Sequence, residues 1–463
     1  MLNLRRASLL LGATLVLQAP ARAQAFGVNE IGTCAVGRAH TGTGSPCADP
    51  SVIYWNPAAA TLLKKWSVYA GGAAIRVSGE YTADSSADVF PGVAPTAFPP
   101  HLFVNYKGHG KWAAGLGLYL PYGLTSRWRE NFPGRFLALE SSLLTLYAQP
   151  NLALELTPKW SLGGGPVIGS SRVELTQALD LAPVSPLPGV TFGQLGIAPG
   201  TEFARATLKG NATALGFHVG LHGQLTPTIQ LGARYLSAVR FEYDGSDARF
   251  EQRPTGLILP QGNPLTPDGS SAPLDAILAA QFAPGGALVA QGVSTTVEHP
   301  AQIQAGLGFS GLPNMLVSLD YFWMGFGSAF RELPVRFDGP AAANNRVLIQ
   351  DYDNAWAVRA GVEYVLARRV TARGGYSYVR AAAPAETVTP LLPDMDRRQY
   401  TLGFGLPFMD RYWIDAAYVR VNTEGRRGRV IERNSRAQTA NDLNGGFYSL
   451  MANILSLSVR AQF

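Results

Sequence analysis

The chain has 463 residues, of which 47% are hydrophobic and only 15% charged, well under the roughly 25% charged content of ordinary soluble domains. Its net charge of +6 includes Arg5, Arg6 and Arg22, and no acid precedes residue 24, so the chain after those residues carries +3. That small excess argues against a nucleic-acid partner. No run of about 20 apolar residues occurs, which excludes transmembrane helices.

The N-terminus reads as an export signal. Arg5-Arg6 precede the apolar run Leu9–Leu17, and Ala21-Arg22-Ala23 supplies small residues for cleavage after Ala23, with Ala23-Gln24-Ala25 as an alternative site. The run is too short to span a bilayer, so residues 1–23 are expected to be a cleaved signal peptide.

Residues 24–64 are Gly-rich and do not alternate. They predict a compact plug ahead of the first strand. Within it, Asn56-Pro57-Ala58-Ala59-Ala60 predicts a helix start, because Asn caps free amides and Pro is tolerated at the first helical position. Cys34 and Cys47 are the only cysteines. In an oxidising periplasm they can form a disulfide that pins the plug. Two thiols that can pair with each other make a poor metal site, so neither a metal nor a cofactor is expected.

From residue 65 to 463 the pattern has a period of two. Leu144, Leu146, Ala148, Pro150, Leu152 and Leu154 alternate with Thr145, Tyr147, Gln149, Asn151, Ala153 and Glu155, and Trp356–Tyr364 and Gln399–Leu406 behave alike. A soluble sandwich alternates too, but strands of ten or more residues, in this number, point to a barrel with lipid outside and polar contents inside. Fourteen segments are predicted, at about 65–82, 100–107, 111–125, 139–157, 159–177, 204–225, 228–244, 296–310, 314–332, 353–367, 369–381, 396–408, 411–424 and 447–463. Tight connections such as Thr157-Pro158, Thr226-Pro227 and Ala367-Arg368 alternate with long ones, the longest about 245–295. The expected fold is therefore all-β, a transmembrane antiparallel β-barrel of about 14 strands in the outer membrane of a Gram-negative bacterium. Outer-membrane lipid and lipopolysaccharide would surround it. The last strand ends on Phe463 with alternating Leu455, Leu457 and Val459, resembling the signal that barrel assembly machinery recognises.

Phe26-Gly27-Val28-Asn29-Glu30, Gly37-Arg38-Ala39, Trp55-Asn56-Pro57-Ala58-Ala59 and Pro121-Tyr122-Gly123-Leu124 together resemble the FadL family of outer-membrane long-chain fatty acid transporters. The resemblance covers the whole chain after the leader in strand order and loop lengths. It implies uptake of hydrophobic small molecules through a barrel closed by an N-terminal hatch. Substrate would settle on external loops, pass to a site inside that includes Phe26, and leave sideways at a kink in strand three. In this sequence the resemblance puts that gate on Gly123 beside Asn56, Pro57 and Ala58. A strand glycine that merely eases packing is the plainer reading of Gly123.

The long external loops are apolar. Leu274, Ile277, Leu278 and Phe282 fall on one helical face. They either form a ligand groove or pack on one another over the barrel mouth. For an acidic head group the resemblance offers Arg172 and Arg331; both could equally pair with Glu174 and Glu332. Leu120 stands where the fatty-acid transporter has a polar residue, which leaves room for neutral hydrocarbons. An enzyme would need a nucleophile and a base. His218 and His222 share one strand face but lack a carboxylate partner, and no G-x-S-x-G element occurs. A general porin would have an open, charge-lined lumen and no plug.

Overall fold

The structure, a computed structural model, describes residues 26–463 apart from 85, 267, 367–368, 385–386 and 429–444. The leader 1–23 and the Ala367-Arg368 turn lie outside the described residues. The barrel strands are β1 Trp66–Ala83, β2 Pro100–Lys107, β3 Trp112–Arg127, β4 Glu140–Glu155 and β5 Trp160–Asp180. They continue with β6 Glu202–Thr226, β7 Ile229–Leu236, β8 Gln302–Leu312, β9 Met315–Met324 and β10 Ala355–Val365. Last come β11 Thr371–Arg380, β12 Arg397–Phe408, β13 Tyr412–Thr423 and β14 Gly446–Gln462. Each pairs antiparallel with its neighbours. β14 then pairs with β1 from Ser67↔Gln462 to Ala83↔Gly446, so fourteen strands close into a ring among the described residues. Closure leaves neither the first strand nor the last as an open edge, which lipid demands because it offers no hydrogen bonds.

Alternation decides which face each residue takes. On β4, Thr145, Tyr147, Gln149 and Asn151 are buried inside, whereas Leu146, Leu152 and Leu154 lie on the outer surface. Exposed Trp66, Trp112, Tyr364, Phe408 and Phe463 sit at the tight-turn end, as an aromatic girdle does at a membrane interface. Leu457, exposed in mid-strand and flanked by Gly72 and Ala416, belongs to the lipid-facing band. Replacing it with Arg is expected to destabilise the barrel by about 2–4 kcal/mol, measurable as a lowered urea midpoint in vesicles.

Three predicted strands are interrupted. The segment 228–244 breaks at Ser237-Ala238 and resumes as Val239–Gln252. The segment 296–310 breaks at Pro300-Ala301, because Pro cannot donate to a ladder, and is preceded by Gln291–His299. The segment 314–332 stops at Met324, turns through a short helix Phe326–Ala329, and resumes as Glu332–Phe337. The three upper pieces pair with one another as a flap above β7–β9. The longest predicted loop shrinks accordingly, since both of its ends are strand.

Residues 26–63 lie inside the ring. Thr33 bonds Ser456 and Ser458 of β14 at 2.7 and 2.6 Å, and Thr41 bonds Ser318 of β9 at 2.7 Å. The amides of Gly42 and Thr43 donate to the Asp320 carboxylate, and Gln149 of β4 donates to the Ile53 carbonyl. A segment that touches strands on opposite sides of a closed barrel must occupy its lumen. Glycine makes the fit close: a methyl at Gly163 would stand 2.6 Å from the Pro57 carbonyl oxygen. Cys34 and Cys47 are joined in a disulfide across the hatch, with Cα atoms 6.3 Å apart.

Candidate functional site

β3 carries one residue too many. Tyr119 faces Tyr147 and Tyr122 faces Thr145, so Leu120 and Pro121 together oppose a single residue of β4. This is a β-bulge, and Pro121 reinforces it by lacking an N–H. The ladder with β2 ends at Leu102↔Leu118. Above it the free edge of β3 is met by the hatch: Val28 N–H donates to the Pro121 carbonyl and Gly123 N–H donates to the Phe26 carbonyl, each at 2.8 Å. The N-terminal residues of the hatch thus replace a stretch of barrel wall.

Phe26 is held there by four rings. Tyr122 and His299 lie at 5.9 and 5.6 Å, and Phe326 and Phe330 meet it edge-on at 5.1 and 5.2 Å. It borders a cavity of about 110 Å³ whose walls include Leu124, Leu143, Val173, Leu208, Val297 and Leu333. The space suits on the order of ten water-sized groups, and its inward side chains are mostly apolar. Leu124 and Leu392 also line a smaller cavity of about 60 Å³ that holds Glu30 and Arg397. Burial raises the Glu30 carboxyl to about 7. Burial, aided by Arg359, pushes His40 well below 6.5, so the two groups, 3.8 Å apart, are not an ion pair at neutral pH. Arg397 donates to Asp394 at 2.7 Å. Loop residues roof this region, since the Pro390 carbonyl accepts from Ser126 and from the Trp128 indole.

The family described as outer membrane protein transport protein (OMPP1/FadL/TodX) matches residues 14–463. The chain belongs to this family. It is 24% identical over 422 residues to the 47 kDa outer membrane protein of Pasteurella multocida, covering 89% of this chain and 91% of that one. It is 24% identical over 425 residues to a long-chain fatty acid transport protein of Escherichia coli, covering 87% and 88%. Among solved structures it resembles a Pseudomonas aeruginosa FadL homologue, with TM-score 0.77, 21% identity, and coverage of 95% and 99%. It also resembles the toluene transporter TodX of Pseudomonas putida, with TM-score 0.65, 15% identity, and coverage of 93% and 97%. These structural likenesses establish a shared fold. As an OMPP1/FadL/TodX protein, the chain is a transport protein of the outer membrane.

Against this family frame the expected site residues separate. The strand-three irregularity sits at Leu120-Pro121, and Gly123 beyond it is regularly paired with Leu144. Asn56-Pro57-Ala58 does not stand beside it. Asn56 caps the Pro57–Leu62 turn by accepting from Ala58 N–H and donates to Thr43 and Leu221, while the Pro57 carbonyl accepts from Asn151. The element beside the bulge is Phe26–Val28. Arg172 is exposed on the outer face of β5, because Ser171 takes the inward position. Arg331 is exposed against a polar hollow outside the flap, among Arg240, Glu298, Glu332 and Arg336. Neither basic residue faces the inner cavities. Leu274 and Leu278 are buried, with Ile277 and Phe282 partly so, against Leu181 and Phe192 of the neighbouring loop and Phe203 at the start of β6. They form a core between loops instead of an open groove. Arg397, Glu30 and Leu391-Leu392 were missed; β12, the hatch and the loop segment around Leu391-Leu392 meet at these cavities only in the folded barrel, and no local pattern marks that.

Proposed function

We propose that this protein takes up long-chain fatty acids or closely similar single-chain hydrophobic molecules, and that it is not an enzyme. The observation that carries the reading is the apolar cavity bordered by Phe26, adjoining the place where Phe26–Val28 substitutes for barrel wall. A chain held there need only displace the hatch N-terminus from the bulge to leave sideways. At about 0.8 kcal/mol per buried CH₂, the roughly ten groups this cavity holds contribute on the order of 8 kcal/mol, so affinity rests on the apolar walls. Arg397, on the adjoining cavity, is the head-group partner in this reading.

Uptake of neutral hydrocarbons is the second reading, favoured by the apolar side chains of the larger cavity and by Leu120 at the bulge. One variant separates them. Arg397→Gln is expected to weaken palmitate binding by about 1.5–3 kcal/mol, roughly ten- to a hundredfold, and to leave an alkylbenzene unaffected. Ligand extraction from detergent-purified protein with mass spectrometry, followed by titration of both ligands, checks this. Palmitate affinity unchanged in Arg397→Gln favours the hydrocarbon; absence of any bound apolar ligand contradicts both.

A further inference from the structure

The barrel wall is also discontinuous between β6 and the flap. β6 pairs with β7 from Thr226↔Ile229 to His218↔Leu236, and with the flap strand Val239–Gln252 from Lys209↔Asp247 to Ala204↔Gln252. Between these ladders, no ladder pair among the described residues joins Gly210–Gly216 to Val239–Ser246; the Phe217 backbone bonds Ser237, and its ring lies 5.7 Å from that of Tyr235. The flap strand has folded inward here. Tyr243 reaches across the inner face of β6 to donate to Ser171 of β5 at 2.7 Å, and a methyl at Gly169 of β5 would stand 2.6 Å from the Phe241 ring. A methyl at Gly210 would stand 3.1 Å from Ser246 Cβ and one at Gly216 2.6 Å from Val239 Cγ2, closer than the about 4.8 Å between side-by-side strands, so this strand overlaps the inside of the wall at both ends of the unpaired stretch.

The gap has chemistry on both sides. At its inner end, Gly210 and Ser246 both line the apolar cavity bordered by Phe26. On its outer lip, Leu215 is 75% and Phe217 49% exposed, as lipid-facing residues are. Just above, Lys209 is half-exposed on the outer face, 2.7 Å from Glu174. Open strand edges do not persist in hydrocarbon unless protein, water or a ligand covers them. The gap therefore lies where apolar surface gives way to charge, with an apolar chamber behind it.

We propose that the gap between Gly210–Gly216 and Val239–Ser246 is a second lateral port, by which a single-chain acidic amphiphile lying in the outer leaflet slides into the cavity. Its tail follows Leu215 and Phe217, and its head group exchanges with Glu174 at Lys209 before passing Gly210. The port rests on the reading of the cavity as a site for such molecules. It adds an inlet distinct from the bulge of β3.

The test ties the port shut. A Cβ at Gly210 would stand 3.1 Å from Ser246 Cβ, close to the spacing of about 3.8 Å across a disulfide. Oxidised Gly210→Cys/Ser246→Cys protein in whole cells is expected to lose about an order of magnitude in the rate of palmitate uptake, recovered when that bond alone is reduced. Uptake at the reduced-state rate in the oxidised protein overturns the port. A gentler variant, Ala214→Cys, reads access without a cross-link: N-dodecylmaleimide partitioned into the membrane should alkylate it, faster than a sulfonated maleimide supplied from outside. Labelling by the sulfonated reagent alone, or by neither, overturns the port. Failure of the underlying reading looks different, because wild-type protein then binds no palmitate while Ala214→Cys still reports whether the gap is open.

Discussion

Deletion of Phe463 is expected to leave most of the chain as periplasmic aggregate, with only a residual fraction inserted. β14 is the strand that closes the ring, paired along its length with β1 on one side and with β13 on the other. Until it docks, two edges face lipid or solvent with unpaired amides and carbonyls, a state that hydrocarbon does not tolerate. Phe463 pins the end of this seam: its N–H donates to the Trp66 carbonyl at 2.9 Å, and its ring meets Tyr412 edge-on at 6.4 Å. The ring pair is worth only about 0.5–1.5 kcal/mol, too little to account for a large loss by folded-state contacts. The large effect follows from our proposal that the terminal aromatic is the signal that barrel assembly machinery reads. Phe463→Tyr, which keeps the ring, should insert normally. Heat-modifiable barrel in the outer membrane, compared on unheated gels, measures this; a normal yield from the deletion contradicts the signal.

The barrel was legible because lipid outside and hatch inside impose a period of two that few soluble folds sustain for so long. The start of the Pro57–Leu62 turn was legible for a different reason, since a cap is set by the residues beside it. What failed depended on contacts between distant segments. The break at Ser237-Ala238 follows from the flap leaning inward over β6, which leaves no mark on residues 228–244 themselves. Pro300 and Pro121 did carry a signal, because a proline within a strand argues for an edge or a bulge, and it was outweighed by the alternation around them. Arg172 was misplaced by matching a motif without applying parity: Val167, Gly169 and Ser171 point inward, so Arg172 cannot. For Leu274, Ile277, Leu278 and Phe282, a groove and a loop core produce the same pattern, and only the neighbouring loop decides between them.

The bulge in β3 makes the second large prediction. Because Leu120 and Pro121 oppose one residue of β4, removing Pro121 restores one-to-one pairing without changing which face Tyr119 and Tyr122 present. Leu120 would then point to lipid and supply an N–H to the ladder. The hatch would lose the Pro121 carbonyl that accepts from Val28, and the regular strand would leave less room for Phe26–Val28 to act as wall. The barrel should fold at least as well as the native one, since a bulge has been replaced by ladder. Gly123→Val, two residues along and already regularly paired, is expected to have the smaller effect.

Palmitate uptake by whole cells that lack another fatty-acid transporter, with palmitate binding to the same purified proteins measured alongside, tests the central claim. The Pro121 deletion should bind palmitate as the native protein does and transport almost none. Transport at the native rate would contradict passage through the wall at β3 and would favour a route down through a displaced hatch.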